Sequence, residues 1–338
     1  MGSVAPPPIN PTLTGILLVL GGSVVMSIND VAIKFLSGDY PLHQVILIRA
    51  LIGLVFLVAL IRLSGQSFAL FTTTRRREHL IRVSIVMVSN VTYFVGLAAM
   101  PLADAVAVAY ISPLLVTLLS VVLLSERVGP RRWAAVTVGM AGVVVMLRPG
   151  SGMIQPAAVL VLVSALCYAL SHMMTRQMRG TEAAITLSFY VQMGFVVVSL
   201  AMGIVAGDGK FSGSANPSLA FLLRPWIWPA MADWPAFIAT GLSVAIGGLM
   251  VAQAYRLCEA GLIAPFEYAG MPMAIFWGKS LALAVQLLAL EAVLILAAVV
   301  LYGAGVPLGG VVLLVTTSVT ATLGLAAVGT LYGGLTAG

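Results

Sequence analysis

The chain has 338 residues, 61% of them hydrophobic and 8% charged, with a mean hydropathy of +1.10, against roughly 25% charge in ordinary soluble domains. That composition excludes a soluble domain of any size and marks an all-α polytopic membrane protein. The formal net charge of +6 comes mostly from arginines in short connections, so it is a topology signal and argues against a nucleic-acid-binding face.

Apolar runs long enough to cross a hydrocarbon core of roughly 30 Å recur along the whole length. The opening "MGSVAPPPINPT" lacks the basic start of a cleavable signal, so residues 1–11 are a tail and the first run stays as a helix. Predicted helices cover 13–37, 41–61, 80–100, 103–125, 132–148, 156–178, 182–206, 236–258 and 262–278. Two further apolar stretches lie near 281–303 and 309–334, which brings the expected total to about 10–11 helices. Cys167 and Cys258 both fall in apolar segments and are read as packing residues.

Arginines orient these helices. Arg62, Arg75, Arg76, Arg77 and Arg82 fall between the second and third runs, Arg127, Arg131 and Arg132 after the fourth, and Arg176 and Arg179 after the sixth. All three groups agree on one side, so the positive-inside rule places them, and the amino terminus, in the cytoplasm. The long connection 207–235 then faces outward, with Trp226, Trp228 and Trp234 at headgroup level.

The chain also repeats itself. An offset of 142 positions lays Met26, Asn29, Asp30, Lys34 and Gly38 over Tyr168, Ser171, His172, Arg176 and Gly180. A second offset, of 159, lays "PLADAVAVAYISP" over "AGLIAPFEYAGMP". If the repeated unit holds an odd number of helices, its second copy enters the membrane from the opposite face, an arrangement of secondary transporters with the solute path between the copies.

The stretches "INDVAIKFLSGDYPLHQVILIRA", "GLAAMPLADAVAVAYISPLLVTLLSVVLLSERVGPRRWAAVTVGMAGVVVMLRPG" and "AQAYRLCEAGLIAPFEYAGMPMAIFWG" resemble the EamA family of the drug/metabolite transporter (DMT) superfamily. The resemblance covers residues 12–278 and implies inverted repeats of five transmembrane helices, a cavity near the midplane, and transport of small metabolites, usually export of amino acids or related compounds. Lys34, Arg49, Ser125, Glu126 and Glu267 stand at positions that recur in that family. On this basis residues 12–149 form a first EamA repeat and 153–278 a second that lacks its usual last helix. Beyond Gly278 the pattern departs: neither a counterpart of Glu126 nor the "GPRRWAAVTVGMAG" opening recurs. The atypical hydrophobic tail 279–338 weakly resembles the membrane subunit of the cytochrome c maturation haem exporter, as in a fusion.

Ionisable groups at membrane depth cost several kcal/mol unless paired or hydrated, so each needs a reading. Asp30 and Lys34 stand four apart, in the order that favours pairing on one helix face. Helical rise puts Asp30 about 11 Å from the outer end of the first helix and Arg49 about 12 Å into the second. Two cations about one carboxylate would suit a carboxylate-bearing solute; the competing reading is a structural ion pair. His172 and Arg176 sit near the cytoplasmic end of the sixth helix, with Glu267 about 8 Å in from the same side. Glu267 is the candidate for proton coupling or for holding a substrate amine; the alternatives are a pair with Arg176 or Arg256, or simple hydration. His172 is read as either a switch or a packing residue. Asn90, Tyr93, Tyr110, Ser112, Gln253, Tyr255 and Tyr268 are candidates for neutral walls of the path or for interhelical contacts. Pro113 and Pro272 mark points where helices can bend, and Glu126, beside three arginines, is read as a solvated salt bridge.

The inventory offers no zinc-spaced cluster, no phosphate-cradling loop and no nucleophile triad, so no enzyme, catalytic residue, metal or cofactor is expected. The expectation is a multi-pass inner-membrane exporter of small metabolites, working by alternating access with proton coupling as an option, as a monomer or homodimer in the bilayer. Its partners are a small-molecule substrate and lipid, not nucleic acid. The alternative is a non-transporting fusion or assembly component associated with an ABC-type haem exporter.

Overall fold

The computed structural model describes residues 10–147 and 156–269, all within one compact unit that ends at Met271. The expectations for residues 279–338, for Pro272 and for a tenth helix lie outside the described residues. Helix α1 (Pro11–Leu36) is started by Asn10, whose side chain accepts from Thr12 N at 3.0 Å, satisfying a donor that the first turn leaves open. A turn through Tyr40 and the extended Pro41 leads into α2 (Leu42–Leu63). Then follow α3 (Arg76–Ala98), α4 (Leu102–Ala109), α5 (Ser112–Leu124), α6 (Pro130–Leu147) and α7 (Pro156–Gln177). The remaining helices are α8 (Ala184–Ala206), a short α9 (Pro217–Leu223), α10 (Trp234–Leu257) and α11 (Ala260–Ile263), which passes into a 3₁₀ turn at Ala264–Ala269. Among the described residues there is no strand, and 7 helical stretches are long and apolar enough to cross a membrane.

Two departures from the sequence reading matter for the site. The run expected as one helix over 103–125 is broken between Ala109 and Ser112, where Pro113 stands in the first turn of α5 and has no N–H to continue the ladder. Second, α3 begins at Arg76, four residues before the predicted start, so Arg82, counted in the sequence among the cytoplasmic arginines, lies well inside the helix and is 7% exposed. The long connection also holds α9, and Trp226 within it stacks on His43 with ring centroids 5.8 Å apart.

Packing follows the small residues. Helix α1 runs along α10, and a Cβ on Gly22 would lie 2.7 Å from Val251 Cγ2 and 3.3 Å from Gly247 O. Helix α3 runs along α7, where a Cβ on Gly96 would come within 2.8 Å of Ala157 O. These helices meet at distances only glycine allows, the usual device where lipid removes the hydrophobic drive for helix association. Helix α2 packs on α8 and α10. Two buried apolar clusters result. One gathers Ile33, Leu36, Leu42, Phe94, Leu97 and Phe237; the other gathers Val19, Val116, Met173, Val251, Tyr255 and Ile263.

At the end of α5, Ser125 takes a left-handed conformation (φ 54°) that turns the chain and lets Glu126 N donate to Ser120 O at 3.1 Å. The Glu126 carboxylate then accepts from Ala260 N at 3.2 Å, Gly261 N at 3.1 Å and Arg176 Nε at 3.3 Å. Its side chain is 9% exposed. The solvated salt bridge expected here is instead a nearly dry clasp joining α5, α7 and the start of α11.

Candidate functional site: a polar cavity between two apolar clusters

A cavity of about 290 Å³ opens among α1, α2, α3, α4, the start of α5, α7, α8, α10 and the 3₁₀ turn. Along α3 its lining runs from Arg82 to Phe94, a depth of about 18 Å at helical rise. Of the residues singled out in the sequence, Asp30, Arg49, Asn90 and Tyr93 line it, and so do Tyr110, Ser112, His172 and Glu267.

At one end Asp30 accepts from Tyr93 Oη at 3.2 Å and from Asn29 Nδ2 at 3.2 Å. Asn29 Oδ1 in turn accepts from the Thr240 hydroxyl and from Arg49 Nη1, the latter at 3.5 Å. Arg49 is fully buried, donates from Nη2 to Asn90 Oδ1 at 3.2 Å, and lies over the rings of Phe195 (4.7 Å) and Phe94 (5.5 Å). Its charge is therefore spread over amide oxygens and two π-faces, with no carboxylate in ion-pair contact among the described residues. At the other end Glu267 accepts from the Tyr255 hydroxyl and from Tyr168 Oη at 3.3 Å. Each carboxyl group is thus held by neutral donors, and hydrogen bonds of that kind make a buried carboxylate affordable.

Five of the candidates, Lys34, Arg176, Gln253, Tyr255 and Tyr268, are not among the lining residues. Lys34, four residues from Asp30, does not pair with it: Nζ donates to Leu97 O at 2.7 Å and Met100 O at 3.0 Å. Leu97 O belongs to the last turn of α3, where carbonyls lack helical partners and carry the negative end of the dipole, and Met100 O follows just past the helix end, so together they take the cation. Arg176 goes to Glu126 and to Arg256 O (3.2 Å). Gln253 accepts from Arg256 Nη1 at 2.6 Å. Tyr268 stacks on Tyr110, centroids 5.9 Å apart, but is not itself among the lining residues. The alternative reading, a pair of Glu267 with Arg176 or Arg256, is not what the described residues form, because both arginines donate to other acceptors.

The sequence reading passed over Arg82, Tyr168 and Gln192, all three in the lining. Signals for two of them were present. Tyr168 falls opposite Met26 at the 142-residue offset, and Gln192 is the one carboxamide in the apolar run of α8. Arg82 was masked by its neighbours in an arginine-rich stretch.

Comparison with known proteins adds to the picture of seven span-length helices and a polar cavity. Residues 13–148 match the EamA-like transporter family. The riboflavin transporter of Rhizobium johnstonii is 28% identical over 67% of this chain and 69% of its own length. The S-adenosylmethionine uptake transporter of Rickettsia prowazekii is 23% identical over 76% of this chain and 80% of its own. The pseudopaline exporter of Pseudomonas aeruginosa is 24% identical over 78% and 86%. A crystal structure with TM-score 0.61 and 21% identity covers 95% of this chain and 96% of its own, which shows a shared fold. The chain is thus a multi-pass membrane protein similar to these transporters.

Proposed function

We propose that this chain is a secondary transporter of the inner membrane, with its amino terminus in the cytoplasm, that exports small metabolites such as amino acids or related compounds by alternating access. One observation carries the reading: one cavity holds two carboxyl groups, Asp30 and Glu267, each accepting from neutral donors, together with an arginine, Arg49, that among the described residues has no ion-paired carboxylate. A solute bearing both an amine and a carboxylate complements such a wall. Proton coupling through Glu267 fits the same geometry.

The helix pairings support two inverted repeats. If α1, α2 and α3 correspond to α7, α8 and α10, exchanging the copies converts the α1–α10 contact into the α7–α3 contact and returns the α2–α8 contact to itself. Two halves packed in this way around one cavity can rock against each other. The relatives named above include both an uptake transporter and an exporter, so direction is the part of the reading most exposed to test.

The test is flux in proteoliposomes across a panel of amino acids and related amphoteric metabolites, with and without an imposed pH gradient, for the wild type, Asp30→Asn and Glu267→Gln. Gradient-driven flux that disappears in Glu267→Gln supports coupling through that residue. Flux unchanged in both variants removes them from the mechanism.

A further inference from the structure

The half of the cavity away from Asp30 contains a group of polar side chains with unused hydrogen-bonding capacity. Arg82 donates from Nε to Thr175 Oγ1 at 2.9 Å and from Nη1 to Leu187 O at 3.2 Å. A guanidinium has five N–H donors, so these two neutral contacts leave most of its fork unused. Among the described residues no carboxylate lies within ion-pair distance of it. Beside it, His172 is 7% exposed and has no hydrogen-bond partner at either ring nitrogen. The ring is held by packing alone, stacked on Tyr255 with centroids 4.1 Å apart and edge-on to Tyr168 at 4.2 Å. Across from them Gln192 is 2% exposed, and neither atom of its carboxamide has a partner. Its position is tight: a Cβ on Gly53 would lie 2.0 Å from Gln192 Nε2.

All three line the same cavity, and helical rise puts them at one level. Arg82 is about 9 Å from the start of α3, His172 about 8 Å from the end of α7, and Gln192 about 12 Å from the start of α8. Those helix ends lie on one side of the molecule, because Arg82 reaches both Thr175 of α7 and Leu187 of α8. A buried cation without a counter-charge and polar groups without partners each cost free energy in a membrane interior. One kind of ligand answers the donors among these groups together, an oxyanion that accepts from the open guanidinium fork, from an imidazole N–H and from an amide N–H.

We propose that Arg82, His172 and Gln192 form an oxyanion subsite, for the carboxylate or phosphate of a transported solute, separate from the Arg49 end of the cavity. The proposal rests on the reading of the cavity as a solute path. It assigns a specificity role to Arg82, which the sequence reading used only as a cytoplasmic topology signal.

The experiment uses the full-length chain in dodecyl maltoside, a detergent without phosphate, and follows thermal unfolding at constant pH and ionic strength as chloride is replaced by succinate or by inorganic phosphate. Wild type is expected to show a saturable rise in Tm with at least one anion, beyond that given by chloride. A response to succinate alone assigns a carboxylate, and a response to phosphate alone assigns a phosphorylated solute. Arg82→Gln should abolish the rise, Arg82→Lys should weaken it by losing the fork while keeping the charge, and Gln192→Met should raise the half-saturating concentration about fivefold. Lys210→Gln, which removes an exposed cation from the connection between α8 and α9, should leave it intact. If Arg82→Gln does not fold, the lysine and methionine variants carry the test. No rise in wild type, an equal rise in the Arg82 and Gln192 variants, or a loss in Lys210→Gln overturns the subsite. Proteoliposome flux with the same protein separates the two readings. Flux without anion stabilisation sinks the subsite and spares transport, whereas anion stabilisation without flux of any solute sinks transport and spares the subsite.

Discussion

Tyr255 of α10 donates its hydroxyl hydrogen to Glu267 in the 3₁₀ turn, across the sharp break that Cys258 makes in the chain between them. Both side chains are buried. The bond therefore does two things, holding the turn against α10 and supplying Glu267 with one of its two neutral donors. Tyr255→Phe leaves that carboxyl oxygen without its partner, at a cost of about 1–3 kcal/mol. A lowered unfolding midpoint is the expected result, with Tyr168→Phe, which removes the 3.3 Å bond, costing less.

Lys34 provides a clean separation of path from scaffold. Its ammonium caps the end of α3 and does not line the cavity. Lys34→Met should lower stability by about 1–2 kcal/mol, while flux per folded molecule stays near the wild-type value. Flux lost from a fully folded Lys34→Met protein would return this residue to the solute path.

Two glutamates paired with arginines should differ sharply. Glu126 and Arg176 are 9% and 11% exposed, and Glu126 also serves two backbone N–H groups. Glu126→Ala strands all of these, and a cost of about 3–5 kcal/mol is expected. Glu259 meets Arg132 at side-chain exposures of 45% and 30%, where solvent screens the pair, so Glu259→Ala should cost no more than about 1 kcal/mol. Equal midpoints in denaturant titrations of the two variants would contradict the clasp.

Close helix contact predicts a similar contrast between glycines. Gly96→Val forces a side chain onto the Ala157 carbonyl, which is backbone and cannot turn away, so α3 and α7 must separate and stability should fall by at least about 2 kcal/mol. At Gly180 nothing lies within 4 Å of an added Cβ, and Gly180→Ala should be neutral within about 0.5 kcal/mol. Thermal unfolding of the two variants side by side checks both.

What the sequence determined by itself was the solvent of the fold and the run of helices through it. Apolar length sets a span because every backbone polar group must be satisfied within the segment, and that constraint is local. The carboxyl groups Asp30 and Glu267, and Arg49, were also legible, since charge in an apolar run stands out without knowledge of neighbours. What only the tertiary structure decided was the partner of each charge. The i,i+4 spacing of Asp30 and Lys34 allowed a pair, yet the rotation of α1 against α3 offered Lys34 unpaired carbonyls and left Asp30 to Tyr93 and Asn29. Glu126 became a clasp because Ser125 turned the chain toward α11, and Arg82 became a wall of the cavity because α3 starts early enough to carry it inward. Partner choice depends on helix rotation and depth, which arise from contacts between segments far apart in the chain, and no local window of sequence contains them.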